Sequence, residues 1–431
     1  MAQQPFLKSI KPVNLLSFGP NTEEIELRPL NILIGANGSG KSNLIEILGL
    51  LNRLPDKDPW STVIQTGGAP EWMWKGPAAK EQLPSITVMA TGSSYPSQRL
   101  LGDSRPNGNL ETLGALLDPA NSEEKPIRYS ISLRAQNGGF EVAEEQFKEL
   151  DRYENDEVQT PSFRRQGWTG QIYGTSKELD PSERLPSVPP DRSVLSFSGG
   201  AASILRHVPK LPVFAEDIER FTFYRDWVFG SGSEVRDIQP VGFDSYRLAG
   251  DSINLAQVLK AMRDRGDSAV FERLLELMRK FYEPVKDVDT ELVGTHLRIM
   301  LKEEGLSSRT PAERLSDGTL RWLMLLIVLL DPTPPPVICI DEPELGLHPD
   351  IFPTLADLLI EASTRTQLIV TTHSRSFLDS FTDTPDAVCV CEKVEGATVI
   401  ERLDGERLQA WLDKYSLGKL WTIGEIGGNR W

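Results

Sequence analysis

The sequence predicts an α/β fold in which a mixed sheet is flanked by helices and interrupted by a large insertion. Near the amino terminus, an apolar run at 30–34 leads into a glycine-rich loop and then into an amphipathic run at 43–51. From Pro311 onward, apolar runs of strand length alternate with runs of helical periodicity. This alternation is typical of an α/β domain built on parallel strands.

The glycine-rich loop has the spacing of a nucleotide-phosphate site. Residues 35–42 read Gly-Ala-Asn-Gly-Ser-Gly-Lys-Ser, and a strand precedes them while a helix follows. Glycines let backbone N–H groups turn towards phosphate oxygens, and the start of the helix adds its positive end. We expect Lys41 to lie against the β- and γ-phosphates and Ser42 to ligate Mg²⁺. The positions expected to hold ATP here are Gly35, Asn37, Gly38, Ser39, Gly40, Lys41, Ser42 and Asn43.

A pair of carboxylates follows a second apolar strand, predicted at 337–340. At the carboxyl end of a parallel strand beside the phosphate loop, Asp341 would hold Mg²⁺ and Glu342 would orient or deprotonate the attacking water. Two acids after a buried strand are often only a loop cap. Here the continuation Pro-Glu-Leu-Gly-Leu-His-Pro at 343–349 favours a functional role.

Two short motifs complete the set. Leu-Ser-Asp-Gly-Thr at 315–319 opens a helix, with Ser316 placed as its N-cap and Gly318 leaving the backbone open to an anion. Thr-Thr-His-Ser at 371–374 follows the next strand, where the imidazole of His373 would contact the γ-phosphate. Each motif alone is more often structural. Together with the phosphate loop and the acidic strand they favour a site for ATP and Mg²⁺.

Composition limits the classes of partner. The chain has 431 residues and a formal net charge of −16, from 46 basic and 62 acidic side chains. Because broad nucleic-acid surfaces usually carry a basic excess, DNA contact is possible but not indicated by the charge. The three cysteines, Cys339, Cys389 and Cys391, lie in apolar runs and are expected to be buried thiols in a reducing compartment.

Membrane insertion is not expected. The first eight residues lack the apolar core of a signal peptide. The most apolar segment, 320–330, is too short to span a bilayer. We therefore expect a cytoplasmic protein.

The chain divides into two halves of one domain and an insertion. We expect a head formed by residues 1–76 and 300–431, and an insertion at 77–299 that is β-rich at first and helical later. The insertion contains β-like runs at 85–90, 127–135 and 140–147, and helical stripes at 253–262 and 270–281.

The order of these motifs resembles the ATP-binding-cassette class of ATPases, and within it the soluble heads of the RecF, SMC and OLD families. The resemblance covers roughly residues 8–75 and 250–431. The segments that carry it are Asn-Ile-Leu-Ile-Gly-Ala-Asn-Gly-Ser-Gly-Lys-Ser-Asn at 31–43, Leu-Ser-Asp-Gly-Thr at 315–319, Asp-Glu-Pro-Glu-Leu-Gly-Leu-His-Pro at 341–349 and Thr-Thr-His-Ser at 371–374.

The resemblance implies a mechanism in which two heads face each other head to tail around ATP. Each nucleotide would lie between Lys41 of one subunit and the signature turn, with Ser316 and Gly318, of the other. Hydrolysis by Glu342 would reopen this homodimer or higher oligomer. Asp317 stands where the transporter signature has a glycine, which is usual in the soluble group.

The resemblance also implies a glutamine that links Mg²⁺ to the insertion. Gln65, in Val-Ile-Gln-Thr-Gly-Gly, is the candidate, and an ordinary surface-loop glutamine is an equally good interpretation. The predicted magnesium ligands are therefore Ser42, Asp341 and Gln65.

The purpose of the ATPase is a choice between two hypotheses. The first is an ATPase that gates a separately encoded effector protein, such as a nuclease, in antiviral defence or DNA repair. OLD-type nucleases continue into a metal-dependent TOPRIM domain, and we expect no nuclease activity from this chain alone. The second is a nucleotide-gated scaffold or sensor that hydrolyses ATP slowly and binds a protein partner without acting on DNA. A transporter nucleotide domain is disfavoured by the insertion.

One stretch of the insertion offers a possible contact with DNA. Arg164, Arg165 and Trp168, in Phe-Arg-Arg-Gln-Gly-Trp, have the chemistry to touch a phosphate backbone and a base. A solvated loop with one packing aromatic is the favoured alternative.

Overall fold

The computed structural model describes residues 4–76, 82–91, 126–150, 163–172, 188–197, 208, 210–225, 227–230, 232–242, 247–264 and 268–428. Its strands are β1 Leu7–Val13, β2 Ile25–Glu26, β3 Leu30–Ile34, β4 Ser85–Thr91, β5 Pro126–Gln136, β6 Gly139–Glu149, β7 Phe163–Gln166, β8 Thr169–Ile172, β9 Thr222–Tyr224, β10 Gln239–Pro240, β11 Val285–Val293, β12 His296–Glu303, β13 Thr310–Pro311, β14 Val337–Asp341, β15 Gln367–Thr371, β16 Val388–Val394 and β17 Ala397–Arg402. Its helices are α1 Lys41–Arg53, α2 Ser61–Gln65, α3 Ala69–Trp72, α4 Lys210–Glu219, α5 Leu255–Asp264, α6 Ser268–Phe281, α7 Asp317–Leu329, α8 Phe352–Ala362, α9 Arg375–Asp379, α10 Gly405–Leu412 and α11 Leu417–Ile423.

A six-stranded mixed sheet forms the centre of the head. Its order is β17-β16-β3-β15-β14-β9, and every neighbouring pair is parallel except the antiparallel hairpin of β16 and β17. All five residues of β3 and all five of β15 are buried. Strands that are covered on both faces have continuous apolar sequences, and for this reason the sequence predicted them. The predicted α/β fold with a mixed sheet is confirmed.

Alternate residues of the central strands enter two different hydrophobic cores. On β14, Ile338 and Ile340 pack into the core beneath α5–α8, whereas Val337 and Cys339 face α1 and α4. This division follows from the two-residue period of a strand. The three cysteines are free and buried, as predicted.

An antiparallel sheet packs on the second of these cores. Its order is β2-β1-β4-β5-β6-β7-β8, so the predicted β-like runs of the insertion extend a sheet that begins with β1 of the head. On the inner face Tyr129, Phe147 and Phe163 are fully buried. This sheet and the head therefore share one continuous core.

The remaining part of the predicted insertion also contributes to the head. Strand β9 pairs in parallel with β14, at the edge of the central sheet. Helices α5 and α6, at the two predicted helical stripes, pack against α7 and against the hairpin of β11 and β12. The range 77–299 thus supplies one strand of the nucleotide-domain sheet as well as two lobes.

Helix lengths bear on the relation to membranes. Among the helices in the described ranges, none is long and apolar enough to cross a bilayer. Helix α7, which contains most of the apolar run 320–330, has 13 residues and lies buried between α6 and α8.

Candidate functional site

The phosphate loop joins β3 to α1 and is shaped by three glycines. Gly35, Gly38 and Gly40 have positive φ angles of 148°, 78° and 105°, a region that favours glycine. At Gly40, the N-cap of α1, a Cβ would also collide with the side chain of Thr398 on β17. Backbone conformation therefore favours glycine at all three positions, and close packing also requires it at Gly35 and Gly40. The loop presents its N–H groups at the start of a 13-residue helix.

Lys41 is held inside this loop. Its side chain is 4% exposed, and Nζ donates to the carbonyl oxygens of Gly35 at 2.7 Å and Ala36 at 3.2 Å. Burial lowers the pKa of the Lys41 ammonium, while the nearby Cys391, Glu342 and Asp341 act in the opposite direction. The ammonium is thus desolvated and placed among acidic groups.

Other atoms of the loop fit a phosphate ligand. The Ser39 hydroxyl is buried and has no hydrogen-bond partner among the described residues. A Cβ placed on Gly38 would meet nothing within 4 Å, so the tip of the loop is open. A hydroxyl without a partner among the described residues, a glycine-rich backbone at the start of a helix and a buried ammonium form a set that suits the phosphates of ATP.

The predicted carboxylates lie where β14 ends. Asp341 is the last residue of the strand, and its Oδ1 accepts a hydrogen bond from the hydroxyl of Thr371 on the adjacent β15. Mg²⁺ is usually held by one or two carboxylates together with substrate phosphates. Asp341 and Ser42, with ATP, would form a set of this kind. No cage of three or more His, Cys, Asp or Glu side chains occurs in the described part of the chain.

Glu342 is next and leaves the strand with an unusual backbone. Its φ angle is 46°, a left-handed conformation that is uncommon for a residue other than glycine. The Glu342 N–H donates to both the carbonyl and the hydroxyl oxygen of Thr371, at 3.2 Å each. This turn separates the direction of the Glu342 side chain from that of Asp341.

His373 meets Glu342 at the end of β15. Its Nε2 lies 3.5 Å from Oε1 of Glu342. Burial lowers the pKa of the imidazole and the nearby Lys41 lowers it further, against the opposing effect of Glu342 and Asp341. At neutral pH the ring is therefore uncharged and can act as a hydrogen-bond donor or acceptor. The structure brings together Lys41, Asp341, Glu342 and His373, four of the residues proposed from the sequence for the ATP and Mg²⁺ site.

The signature turn lies at the start of α7. Ser316 is the N-cap, as predicted, and its Oγ accepts a hydrogen bond from the N–H of Thr319 at 3.1 Å. Ser316 is exposed and Gly318 half-buried. A Cβ on Gly318 would lie 3.0 Å from the carbonyl oxygen of Gly346, in the loop after the acidic strand. This close approach explains a glycine at position 318.

Gln65 occupies the last position of helix α2 and is exposed. The helix packs against α3 and β6. Among the described residues no recorded hydrogen bond joins Gln65 to Lys41 or Asp341. Its assignment as a magnesium ligand stays a prediction.

The possible DNA contact in the insertion, which the sequence did not favour, is wrong for Arg165. The side chain is 1% exposed, and its Nε lies 2.7 Å from Oε2 of Glu145, which is itself fully buried. The favoured alternative of a solvated loop is also wrong, because Arg164 and Arg165 belong to strand β7. Arg164 pairs with Glu144 at the surface, and Trp168 stands 60% exposed in the turn that follows.

Two residues near the site were missed by the motif analysis. Arg321 on α7 donates to the carbonyl oxygen of Glu342, and the buried Glu344 accepts from the hydroxyl of Thr372. A signal for Arg321 was present in the sequence. It is the lone charged residue in the otherwise apolar run 320–330, and such a residue usually has a partner when buried.

The chain matches a known protein family over most of its length. Residues 30–379 match the family described as "AAA domain, putative AbiEii toxin, Type IV TA system". Since the match covers most of the chain, the protein belongs to this family. A search of curated proteins finds no match.

Solved structures place the fold within a class. The chain is similar to an Smc head bound to the C-winged helix domain of ScpA, with a TM-score of 0.50 and 15% identity, covering 94% of this chain and 99% of that one. It also aligns with the Smc head with an extended coiled coil from Pyrococcus furiosus, bound to the C-terminal domain of ScpA, with a TM-score of 0.48 and 14% identity over 95% and 99% of the two chains. The family match identifies an AAA domain, and the first similarity shows that the chain has the fold of an Smc ATPase head.

Proposed function

We propose that this chain binds ATP with Mg²⁺, hydrolyses it with Glu342 as general base, and couples the cycle to a separately encoded effector. The observation that carries the proposal is the convergence of Lys41, Glu342 and His373. They follow β3, β14 and β15, which are neighbours in the central sheet. Ligands of open α/β sheets bind at this edge, outside the carboxyl ends of the strands.

The residues have separable tasks. Lys41 and the loop N–H groups bind the β- and γ-phosphates, because a desolvated ammonium gains most from an anion. Ser42 and Asp341 would hold Mg²⁺, which would neutralise charge on the phosphates when bound. Glu342 takes a proton from the attacking water. The water oxygen bonds to the γ-phosphorus while the bond from the γ-phosphorus to the bridging oxygen breaks, and ADP leaves. His373, uncharged, orients the Glu342 carboxylate or the γ-phosphate.

The signature turn supports closure of a head-to-tail dimer. Ser316 is exposed at the first turn of α7, whose partial positive charge suits an anion. In relatives of this class, as the motif order implies, the turn contacts the nucleotide of a second subunit. Ser316 and Gly318 would then complete the site in trans, and hydrolysis would release it.

A protein effector is favoured over DNA as the direct partner. The formal net charge of −16 opposes binding to a polyanion, and the buried Arg165 removes one of the few basic candidates. The family description refers to a toxin–antitoxin system, which favours a multi-component assembly over a single-chain enzyme. The three buried thiols suit a reducing cytoplasm, where we place this assembly in antiviral defence or DNA repair.

Steady-state ATP turnover by the wild-type protein, with and without DNA ends, is the first test. We expect DNA to leave ATP turnover unchanged and a co-purifying protein to alter it. Affinity purification of the Glu342→Gln protein with ATP and Mg²⁺ would recover that partner, and Glu361→Gln, a surface change on α8, is the control. No binding of ATP by the wild type would overturn the proposal.

The acidic surface also supports the second hypothesis, a slowly hydrolysing sensor that holds a protein partner. The two hypotheses differ in the rate of ATP hydrolysis and in the step that acts on the partner. The gating ATPase should accelerate in the presence of its effector, whereas the sensor should release its partner on ATP binding even when Glu342→Gln blocks hydrolysis.

A further inference from the structure

We propose that Arg321 is a positioning residue that fixes the backbone of Glu342 from helix α7. The inference rests on the function proposed above, because it assigns a role within the same ATPase site. Nη1 of Arg321 donates to the Glu342 carbonyl oxygen at 3.2 Å. This contact joins the helix that begins with the signature turn to the residue expected to act as general base.

The backbone of Glu342 needs such support. Its φ angle of 46° is strained for a residue with a Cβ, and strain of this kind persists only where neighbouring groups hold it. On the N–H side, the two oxygens of Thr371 accept its hydrogen bond. On the carbonyl side, the donors are Arg321 and the N–H of Leu345, the latter also at 3.2 Å. Arg321 is the charged member of this group.

The guanidinium is itself confined by aromatic rings. Its Cζ lies 5.5 Å from the ring centre of Trp227 and 5.1 Å from that of Phe229. These two rings meet edge to face, with centres 6.1 Å apart. A planar, weakly hydrated guanidinium suits stacking of this kind, which a lysine ammonium reproduces poorly. The cage follows β9, the strand next to the acidic strand, and restricts the position of the Arg321 head group.

Carboxylates surround the same head group. Burial lowers the pKa of Arg321, and the nearby Glu344, Glu342 and Asp317 act in the opposite direction. Glu344 is buried and accepts from the hydroxyl of Thr372, in the loop that carries the histidine of the site. Arg321 therefore lies between the acidic strand and the start of its own helix.

The first turn of α7 is held by the segment that forms the aromatic cage. Arg236 donates to the carbonyl oxygens of Leu315 at 2.6 Å and of Phe229 at 2.5 Å, and pairs with Asp317. Because one segment holds both the signature turn and Arg321, a shift of that turn on engaging a second subunit would change the contact between Arg321 and Glu342. The geometry thus couples dimer closure to the general base.

The test compares Arg321→Met with Arg321→Lys and a control. Arg321→Met keeps the apolar stem against the rings but removes the donor. We expect kcat for ATP to fall about 10- to 100-fold, as misplaced catalytic groups do, with KM and nucleotide affinity within about twofold. Arg321→Lys should recover part of the loss. Arg365→Met is the matched control, since Arg365 donates to the carbonyl of Leu329 at the opposite end of α7.

A second measurement does not depend on turnover. Amide hydrogen exchange at Leu345, whose N–H shares the Glu342 carbonyl with Arg321, should be at least tenfold faster in Arg321→Met than in Arg365→Met. In a Glu342→Gln background, Arg321→Met should add no further loss of turnover. Equal kcat and equal exchange for the Arg321 and Arg365 variants would overturn the inference. A wild type without ATP turnover would overturn the proposed ATPase and this inference with it.

Discussion

The imidazole of His373 lies 3.5 Å from the carboxylate of Glu342, between Nε2 and Oε1. The two residues lie beyond the ends of adjacent strands: Glu342 directly follows the last residue of β14, and His373 stands two residues after the last residue of β15. Burial and the neighbouring Lys41 lower the pKa of the ring, so it contributes no charge at pH 7. The pair is therefore a neutral imidazole beside the carboxylate that is proposed to take a proton from water.

Replacement of His373 by alanine should reduce ATP turnover by on the order of 100-fold, as loss of a group that orients proton transfer does. Binding of a fluorescent ATP analogue should be retained. Because the pKa of His373 lies below its ordinary value of 6.5, wild-type turnover should be constant above neutral pH and fall as the ring protonates on acidification. His296→Ala, at the start of β12, is the control and should leave turnover unchanged.

Replacement of Lys41 by alanine should abolish ATP binding or hydrolysis, because it removes the buried ammonium from the phosphate loop. Equilibrium binding of the same analogue and phosphate release would measure the two effects separately. Lys75→Ala is the control, because the Lys75 side chain is 65% exposed at the surface. Unchanged turnover in Lys41→Ala would remove the phosphate-loop assignment.

Glu342→Gln should bind ATP with normal affinity and accumulate as an ATP-bound dimer, since the amide retains the shape of the side chain but cannot accept a proton. Mass measurement after chromatography with ATP and Mg²⁺ would detect this species. The same protein carrying Ser316→Arg in the signature turn should stay monomeric. Hydrolysis at the normal rate would show that Glu342 is not the catalytic carboxylate.

Glu344→Gln should stabilise the protein in a pH-dependent way. Burial raises the pKa of Glu344 to about 7 in the folded chain, against an ordinary value of 4.5. The folded state therefore binds the proton more tightly than the unfolded chain. The corresponding stability is fully present below pH 4.5 and is lost as pH rises to about 7, a change of about 3 kcal/mol.

Thermal unfolding from pH 5 to 8 would measure this difference. At pH 8 the variant should unfold at a higher temperature than the wild type, because a neutral amide replaces a buried anion. At pH 5 the two should agree closely, since both side chains are uncharged there. A difference that does not depend on pH would argue against titration of Glu344.

Replacement of Arg165 by methionine should lower the free energy of unfolding by about 3–5 kcal/mol, because it removes the ion-pair partner of the fully buried Glu145 carboxylate. Arg164→Met removes only the half-exposed pair with Glu144 and should cost about 1 kcal/mol or less. Denaturant unfolding would compare the two. ATP affinity of the Arg165 variant should be normal while it remains folded, in keeping with a structural role.

The sequence by itself predicted the local parts of this site. The phosphate loop, the strand ending at Asp341 and the N-cap Ser316 each depend on residues a few positions apart. Glycine spacing, apolar runs and capping residues act within one turn or one strand, so a single sequence reveals them. The spacing of apolar residues predicted the strands and helices of the insertion for the same reason.

Only the tertiary structure decided which local parts become neighbours. The pairing of β9 with β14, the burial of Arg165 against Glu145 and the contact of Arg321 with Glu342 depend on strand order and packing. Charge and composition in this sequence are the same whether an arginine is solvated or paired in a core. The physical reason is that burial depends on which surfaces, distant in the sequence, pack together. The local spacing of residues does not determine that packing.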